Sequence, residues 1–258
     1  MSFNTKVRAF QLIVQLMAIF SIYYMIAHGA YSWLWIVLFA YIFIGPVSIG
    51  LTLHRMLTHR SFKTWKWLEN TLSVLSVFTV LGPTITWVGL HRFHHTNSDS
   101  DLDPHSPYNI KTDRFSIKHA FIAWSGIGWT IPQIPLRYVK DLMRSSLHKF
   151  ILNNYFKILI TGIVLMYLIN PILPLYMFFL PCALAFHGVN MINVFGHKHG
   201  YRNFDTNDHS TNSWFTHLLT WEGLHNNHHQ YPGSWDNQVK WWEIDPLKYI
   251  IKLIRVNN

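Results

Sequence analysis

The chain has 258 residues, half of them drawn from AVILMFWYC and only 13% charged, where a soluble domain carries roughly 25%. Its single Cys excludes a disulfide framework or a thiolate metal cluster. The formal charge of +9 lacks the polar face on which a nucleic-acid groove is displayed, so no nucleic-acid partner is expected and the charge is better explained by basic residues gathered on one side of a membrane.

Taken in chain order, Ala9 to Ala27 and Trp33 to Leu53 are apolar blocks of the roughly 20 residues that span a bilayer as a helix. They are joined by the turn His28-Gly29-Ala30-Tyr31-Ser32, and the first is too long and too closely followed by the second for a cleaved signal. Thr71 to Leu90 is long enough to cross but is interrupted by Gly82-Pro83. A second pair, Phe150 to about Ile169 and Ile172 to about Val194, is broken by Asn170-Pro171, with Pro174 and Pro181 as kink sites inside the fourth helix. Lys6 and Arg8 precede the first block, twelve Lys and Arg lie between His54 and Lys149, six follow Phe195, and Lys157 sits one turn inside the third block. Both short turns therefore carry none. The positive-inside rule predicts four transmembrane helices in two hairpins, both termini and the long central segment cytoplasmic, and Thr71 to Leu90 re-entrant or interfacial. Without an internal repeat, low-complexity tract or linker, residues 1–258 read as one integral-membrane domain: an all-α membrane protein with a cytosolic helical cap.

The 17 His invite a search for metal-ligand spacing. His54 and His59 end the second helix; His91, His94 and His95 follow the re-entrant block; Asn193 and His197 end the fourth helix; His225, His228 and His229 come last. Positions i, i+3 and i+4 share a helix face, so each His-x-x-His-His box is expected to aim three imidazoles at one point. His54 and His59, at i and i+5, share no face of a regular helix, which puts that box at a distorted helix end. Eight imidazoles from these boxes, with His197, exceed one closed zinc site and suffice for a His-rich di-metal site with open positions. His28, His119, His148, His187, His199, His209 and His217 have no paired spacing and read as ordinary side chains, while His105 is left open. Asp99-x-Asp101-x-Asp103 has Pro104 where a calcium loop needs Gly and Ile110 where it needs Glu, so it reads as a solvated acidic turn.

Imidazole alone does not name the metal, and an open dinuclear centre at a membrane surface could hydrolyse a lipid or activate oxygen. Five segments carry a resemblance: His54-Arg55-Met56-Leu57-Thr58-His59-Arg60-Ser61-Phe62, Trp87 to His95, Asp99 to Pro107, Gly200 to Asp205, and Glu222-Gly223-Leu224-His225-Asn226-Asn227-His228-His229. From about Leu51 to Trp242 the chain resembles the membrane fatty acid desaturases of the Δ9 stearoyl or acyl-lipid type. The resemblance implies a non-haem di-iron centre with His54, His59, His91, His94, His95, His197, His225, His228 and His229 as iron ligands, and Asn193 approaching one iron through a water. It also nominates Trp87 and Asn190 as substrate contacts. The implied reaction uses O2 and two electrons to place a cis double bond, at Δ9, in a saturated C16 or C18 acyl chain held as acyl-lipid or acyl-CoA in a bent tunnel.

Animal acyl-CoA members carry Arg-Asp where this chain has Gly89-Leu90, and Thr-Trp where it has Val189-Asn190; Trp221 replaces a usual Gly. Trp87-Val88-Gly89-Leu90 instead resembles bacterial and plant-type members, which favours a bacterial inner membrane over endoplasmic reticulum and lipid-bound acyl chains. Head-group recognition needs basic residues at the tunnel mouth, for which Arg60, Lys63, Arg114, Lys118, Arg137 and Lys140 are available. About 29 residues follow His229, too few for a fused haem domain, so electrons are expected from a separate ferredoxin or cytochrome b5 type carrier with its reductase. Two alternatives remain: a fatty acyl hydroxylase or other lipid oxygenase on the same scaffold, and a metal-binding membrane transporter with His187 as its intramembrane group.

Overall fold

A computed structural model describes residues 3–256 apart from 101, 104, 110, 111, 113 and 128–132. Helix α1 (Phe3–Ala27) starts before the apolar block and takes Lys6 and Arg8 into its first turns. Val7, Val14, Ala18, Ser21 and Met25 form its buried stripe, while Leu12, Leu16, Ile19, Tyr23 and Ile26 stand exposed. A helix apolar on both faces is stable only where the outer face meets lipid.

After a 3₁₀ turn, α2 (Leu34–Ile42) runs without a break into sixteen residues of wide-turn π-helix, Phe43–Thr58. Then come α3 (Lys66–Leu75), a 3₁₀ turn over Ser76–Thr79, and α4 (Thr84–Asn97). Between them Val80 and Gly82 take φ of 59° and 103°, and Pro83 opens α4. A two-residue hairpin pairs β1 (Tyr108–Asn109) with β2 (Arg114–Phe115) ahead of α5 (Ile117–Ser125). Helix α6 (Ser146–Ile169) leads to a wide turn at Leu175–Phe179, bracketed by Pro174 and Pro181, and then α7 (Leu180–Phe195). Short helices α8 (Trp214–Thr220), α9 (His225–Gln230) and α10 (Pro246–Ile254) complete the chain.

Among the described residues four helices are long and apolar enough to cross a membrane: Phe3–Ala27, Tyr31–Thr58, Ser146–Ile169 and Leu175–Phe195. The pair Lys66–Thr79 and Thr84–Asn97 bends through 82° at its break. Two apolar clusters organise the packing. One joins α1, the first half of the π-helix and the wide turn before α7 through Val14, Ile44, Ile49, Tyr176 and Phe178. The other joins the second half of the π-helix to α4 and α10 through Leu51, Leu53, Val88, Leu247 and Ile251. The π-helix runs through both clusters, and His54 lies at its second end.

Candidate metal centre

The His54-x4-His59 spacing depends on those wide turns. Residues five apart come close together along a helix with i→i+5 bonds, and the His59 N–H donates to the His54 carbonyl at 3.1 Å. The two rings stand edge to face with centroids 4.9 Å apart. Pro46 suits this stretch because it supplies no N–H to a ladder. The hydroxyls of Thr52 and Thr58 donate to carbonyls five residues back, at 2.9 and 2.8 Å.

Nine imidazoles gather into two groups, within each of which the ring nitrogens lie no more than 4.8 Å apart. His54, His59, His91, His95 and His228 form one; His94, His197, His225 and His229 form the other. The expectation that each His-x-x-His-His box points at one place is therefore corrected. On α4, His91 and His95 join the first group and His94 the second; on α9, His225 and His229 join the second and His228 the first. Positions i and i+4 diverge by about 40° around a helix axis, whereas i+3 and i+4 diverge by about 100°. A box lying between two centres accordingly gives two rings to one and a single ring to the other.

The nitrogens meet as ligands of an ion would. His228 Nε2 lies 2.9 Å from His54 Nε2 and 3.1 Å from His95 Nε2, and His197 and His225 bring theirs to 3.0 Å. A first-row divalent ion holding imidazoles at about 2.1 Å sets neighbouring ligand atoms about 3 Å apart. The buried Nε2 atoms of His59, His94 and His229 have no hydrogen-bond partner, an unfavourable state that a cation relieves. Burial, followed by the neighbouring imidazoles, holds His225 and His228 well below the usual range. Burial also brings His229 down to about 4 against the pull of Asp208. These rings are neutral near pH 7, with lone pairs to offer.

A cavity with about 1170 Å³ of empty space, counting its open mouth, adjoins the groups. His54, His91 and His225 line it together with Asn193, and apolar side chains of the π-helix and α7, Ile49, Val189 and Ile192 among them, form its walls. Trp87 and Asn190 line it as well. Trp87 stacks on His91 with centroids 4.9 Å apart, and the Asn190 amide donates to the Trp124 carbonyl at 3.0 Å.

The family model for fatty acid desaturases matches residues 9–254. The chain is 34% identical over 235 residues to an sn-1 stearoyl-lipid 9-desaturase of Anabaena variabilis, covering 88% of this chain and 82% of that one. It is 35% identical over 240 residues to an sn-2 palmitoyl-lipid 9-desaturase of Nostoc sp. (strain 36), covering 87% and 80%. An acyl-CoA C20 Delta5-desaturase of Anemone leveillei is 35% identical over 235 residues, covering 88% and 73%. The chain belongs to the fatty acid desaturase family. It is a membrane oxidoreductase of lipid metabolism acting on fatty acyl chains.

Carboxylates orient the desaturase's imidazoles. Nδ1–H of His94 donates to Asp103 at 2.9 Å, that of His197 to Asp99 at 2.8 Å, and that of His229 to Asp208 at 2.5 Å. Each bond leaves Nε2 as the lone pair facing the group. Asp99 and Asp103 are thus not the solvated turn expected from sequence. Asp103 is 8% exposed and also accepts from the Asp99 N–H, while Asp99 accepts from the His209 N–H at 2.9 Å. Burial works to raise both carboxyls, but His197 for Asp99 and His94 for Asp103 outweigh it and hold them below the usual range. Asp101, Pro104 and Ile110 lie outside the described residues. The demand of a ligating imidazole for an acceptor on its other nitrogen was the signal available in the sequence.

Glu222 lies 3.4 Å from His54 Nδ1 and accepts from buried Arg55 at 2.9 and 3.1 Å. Arg55 also grips Asp245, the N-cap of α10, at 2.6 and 3.1 Å. Burial works to raise Glu222, but Arg55 and then His54 bring it down to about 2. Trp221 closes α8 in the left-handed region with φ of 62°. Gly223 lies so close to α8 that a Cβ would stand 2.3 Å from the His217 nitrogen. On α9, Asn226 accepts from the Asn203 and Phe204 N–H groups at 2.9 Å, and Asn227 donates to Glu243 at 2.9 Å.

The other histidines stay outside both groups. His148 pairs with the Thr84 hydroxyl at 2.9 Å, His187 with Gln15 at 3.1 Å, His119 with Ser116 at 2.8 Å and His217 with the Ile244 carbonyl at 2.5 Å. His28 lies tilted against Tyr24, His209 stacks on Tyr108, and His199 is exposed beside Phe195. His105 lines the cavity against His94, with centroids 5.6 Å apart. Among the described residues, none of the six basic side chains considered for head-group binding lines the cavity; Arg8 of α1 does.

Proposed function

We propose that this desaturase holds one iron among His54, His59, His91, His95 and His228 and a second among His94, His197, His225 and His229, with Asn193 approaching one iron through a water. The observation that carries the reading is that both polyhistidine groups adjoin a largely apolar cavity. All-imidazole donors suit iron, zinc, copper or nickel alike, so the choice of iron rests on the family. Bound iron supplies oxygen activation: –CH2–CH2– with O2, two electrons and two protons becomes –CH=CH– and two waters. The chain's own residues do the rest. Asp99, Asp103 and Asp208 fix the imidazoles, Ile49, Val189 and Ile192 hold the acyl chain and exclude water, and Trp87 buttresses His91.

The substrate in this reading is a saturated C16 or C18 acyl chain and the product a cis Δ9 bond, supported by relatives named stearoyl-lipid and palmitoyl-lipid 9-desaturases. Residues 1–258 work as one domain in a bacterial inner membrane, with four spans in two hairpins and a cytosolic cap carrying the histidines. The 82° bend between α3 and α4 supports a re-entrant segment there. Electrons come from a separate ferredoxin or cytochrome b5 type carrier and its reductase. Expression in a host lacking unsaturated fatty acids, with double bonds located by mass spectrometry, tests the reading. A product heavier by one oxygen would assign a hydroxylase, and unchanged acyl chains from an iron-loaded protein would refute both activities.

A further inference from the structure

We propose that an open basic cleft beside the first histidine group is the docking site for an acidic one-electron carrier protein. The proposal rests on the desaturase reaction above, which needs two electrons from outside. Arg60, Arg92, Arg137, Lys140 and Arg144 surround Asp141 in a cleft of about 800 Å³, so five cations face one carboxylate. That carboxylate is already shared: Arg60 donates to it, and Arg92 donates at 2.8 and 3.1 Å. Arg137, Lys140 and Arg144 stand exposed at the rim. Unlike the acyl cavity, the cleft is predominantly cationic, and among the described residues the two share no lining residue. It is therefore not the substrate's own pocket.

What marks it for electron delivery is its floor. Arg92 follows His91 in α4, and its guanidinium donates to the carbonyls of Leu57 and Thr58 at 2.8 and 2.9 Å. Thr58 in turn precedes His59. Two rings of the first group, His91 and His59, are thus chain neighbours of residues that line the cleft. An exposed single-sign surface steers an oppositely charged protein and sets its orientation. A carrier docked here would give up one electron and leave oxidised, and a second reduced copy would follow, which supplies the two electrons of the balanced reaction.

The test uses the iron-loaded protein in detergent, a plant-type [2Fe–2S] ferredoxin as probe, and the variant R137E/K140E/R144E, with R137Q/K140Q/R144Q as a milder companion. Direct binding of ferredoxin at low ionic strength should weaken about ten-fold or more. The ferredoxin concentration for half-maximal turnover should rise in parallel, and the salt dependence should flatten. Single-turnover desaturation driven by dithionite should be unchanged. Unaltered ferredoxin binding in both variants would overturn the proposal. So would weakened binding of phosphatidylglycerol vesicles with ferredoxin binding intact, which would make the cleft a lipid head-group site. If dithionite yields no desaturation even in the unaltered protein, the proposed function fails, while the binding measurement still decides the docking site.

Discussion

Asp99 accepts the Nδ1–H of His197 at 2.8 Å across 98 residues of chain, and in doing so aims His197 Nε2 at His225 Nε2, 3.0 Å away. An orienting carboxylate of this kind is typically worth 10- to 100-fold in metal affinity or activity. Asp99→Ala should therefore lower iron retention and turnover by about that much, and Asp99→Asn, which keeps an acceptor without the charge, by less. Iron per chain and turnover measured together check this. Full iron and full rate in Asp99→Ala would show that the bond does not position the ring.

The divided boxes lead to a sharper expectation. His94→Ala and His95→Ala alter adjacent residues that belong to different groups, so the double variant should lose both irons. His91→Ala with His95→Ala removes two ligands from the same group and should leave one iron in place. Metal analysis on purified protein distinguishes the two. His94→Ala or His228→Ala alone should abolish turnover, and His119→Ala should not. His148→Ala should also keep its activity, yet it strips Thr84 of a buried partner and should destabilise the protein by about 1–3 kcal/mol.

The clustering of the histidines was legible in the sequence because residue type and spacing together mark candidate metal ligands. All nine imidazoles singled out by spacing and resemblance fall in the two groups, and the four apolar blocks match the four long helices to within a few residues at most ends. Partition of the rings between two centres was not legible, because it depends on where a box lies relative to both. The sixteen-residue π-helix was visible only as a spacing that an α-helix could not satisfy. Asp99 and Asp103 were misread for a different reason: an acidic turn looks the same in sequence whether its carboxylates meet water or buried imidazoles, and only packing against His197 and His94 separates the two cases.

Arg55 links Glu222, and through it His54, to the cap of the last helix, and all three side chains are buried. Arg55→Met would leave two carboxylates without their partner, and breaking a buried pair in this way costs about 3–5 kcal/mol. The pH dependence has a definite sign. Glu222 is held at about 2 in the folded protein against an ordinary 4.5, so its contribution to stability is complete above pH about 4.5 and is lost as the pH falls toward 2. Thermal unfolding of detergent-solubilised protein between these limits should show a fall in midpoint that Glu222→Gln reduces. An equal fall in both proteins would place the acid sensitivity elsewhere.

For topology, tags at both termini should be reached from the cytoplasm, and a tag in the Asn170–Pro171 turn should not. The rule behind this is the absence of Lys and Arg from both short turns. The bent segment at Val80 to Pro83 decides the parity, since a full crossing there would put the two halves of the chain on opposite sides. A cytoplasmic Asn170–Pro171 tag would establish that crossing.

The acyl carrier and double-bond position form the last expectation: a cis Δ9 bond in a C16 or C18 chain, made while the chain is esterified to a membrane glycerolipid. An alkyl chain bears no polar mark near its middle, so the target carbons are found by measuring from one end along a shaped apolar cavity. Val189→Trp would obstruct that cavity and should cut conversion while leaving both irons in place. At position 89 a Cβ would stand 2.6 Å from a Val139 methyl and 3.1 Å from an Ile134 methyl, so a longer side chain there requires both to shift. Among the described residues, Arg8 of α1 is the one Lys or Arg that lines the cavity. Because Arg8 rises from a membrane-crossing helix, the cavity suits a head group that arrives from the bilayer rather than from solution. Acyl-CoA and labelled phospholipid supplied separately to isolated membranes decide between the carriers. Conversion of acyl-CoA before any transfer to lipid would overturn the glycerolipid carrier, and a double bond that keeps a constant distance from the methyl end across chain lengths would overturn measurement from the head group.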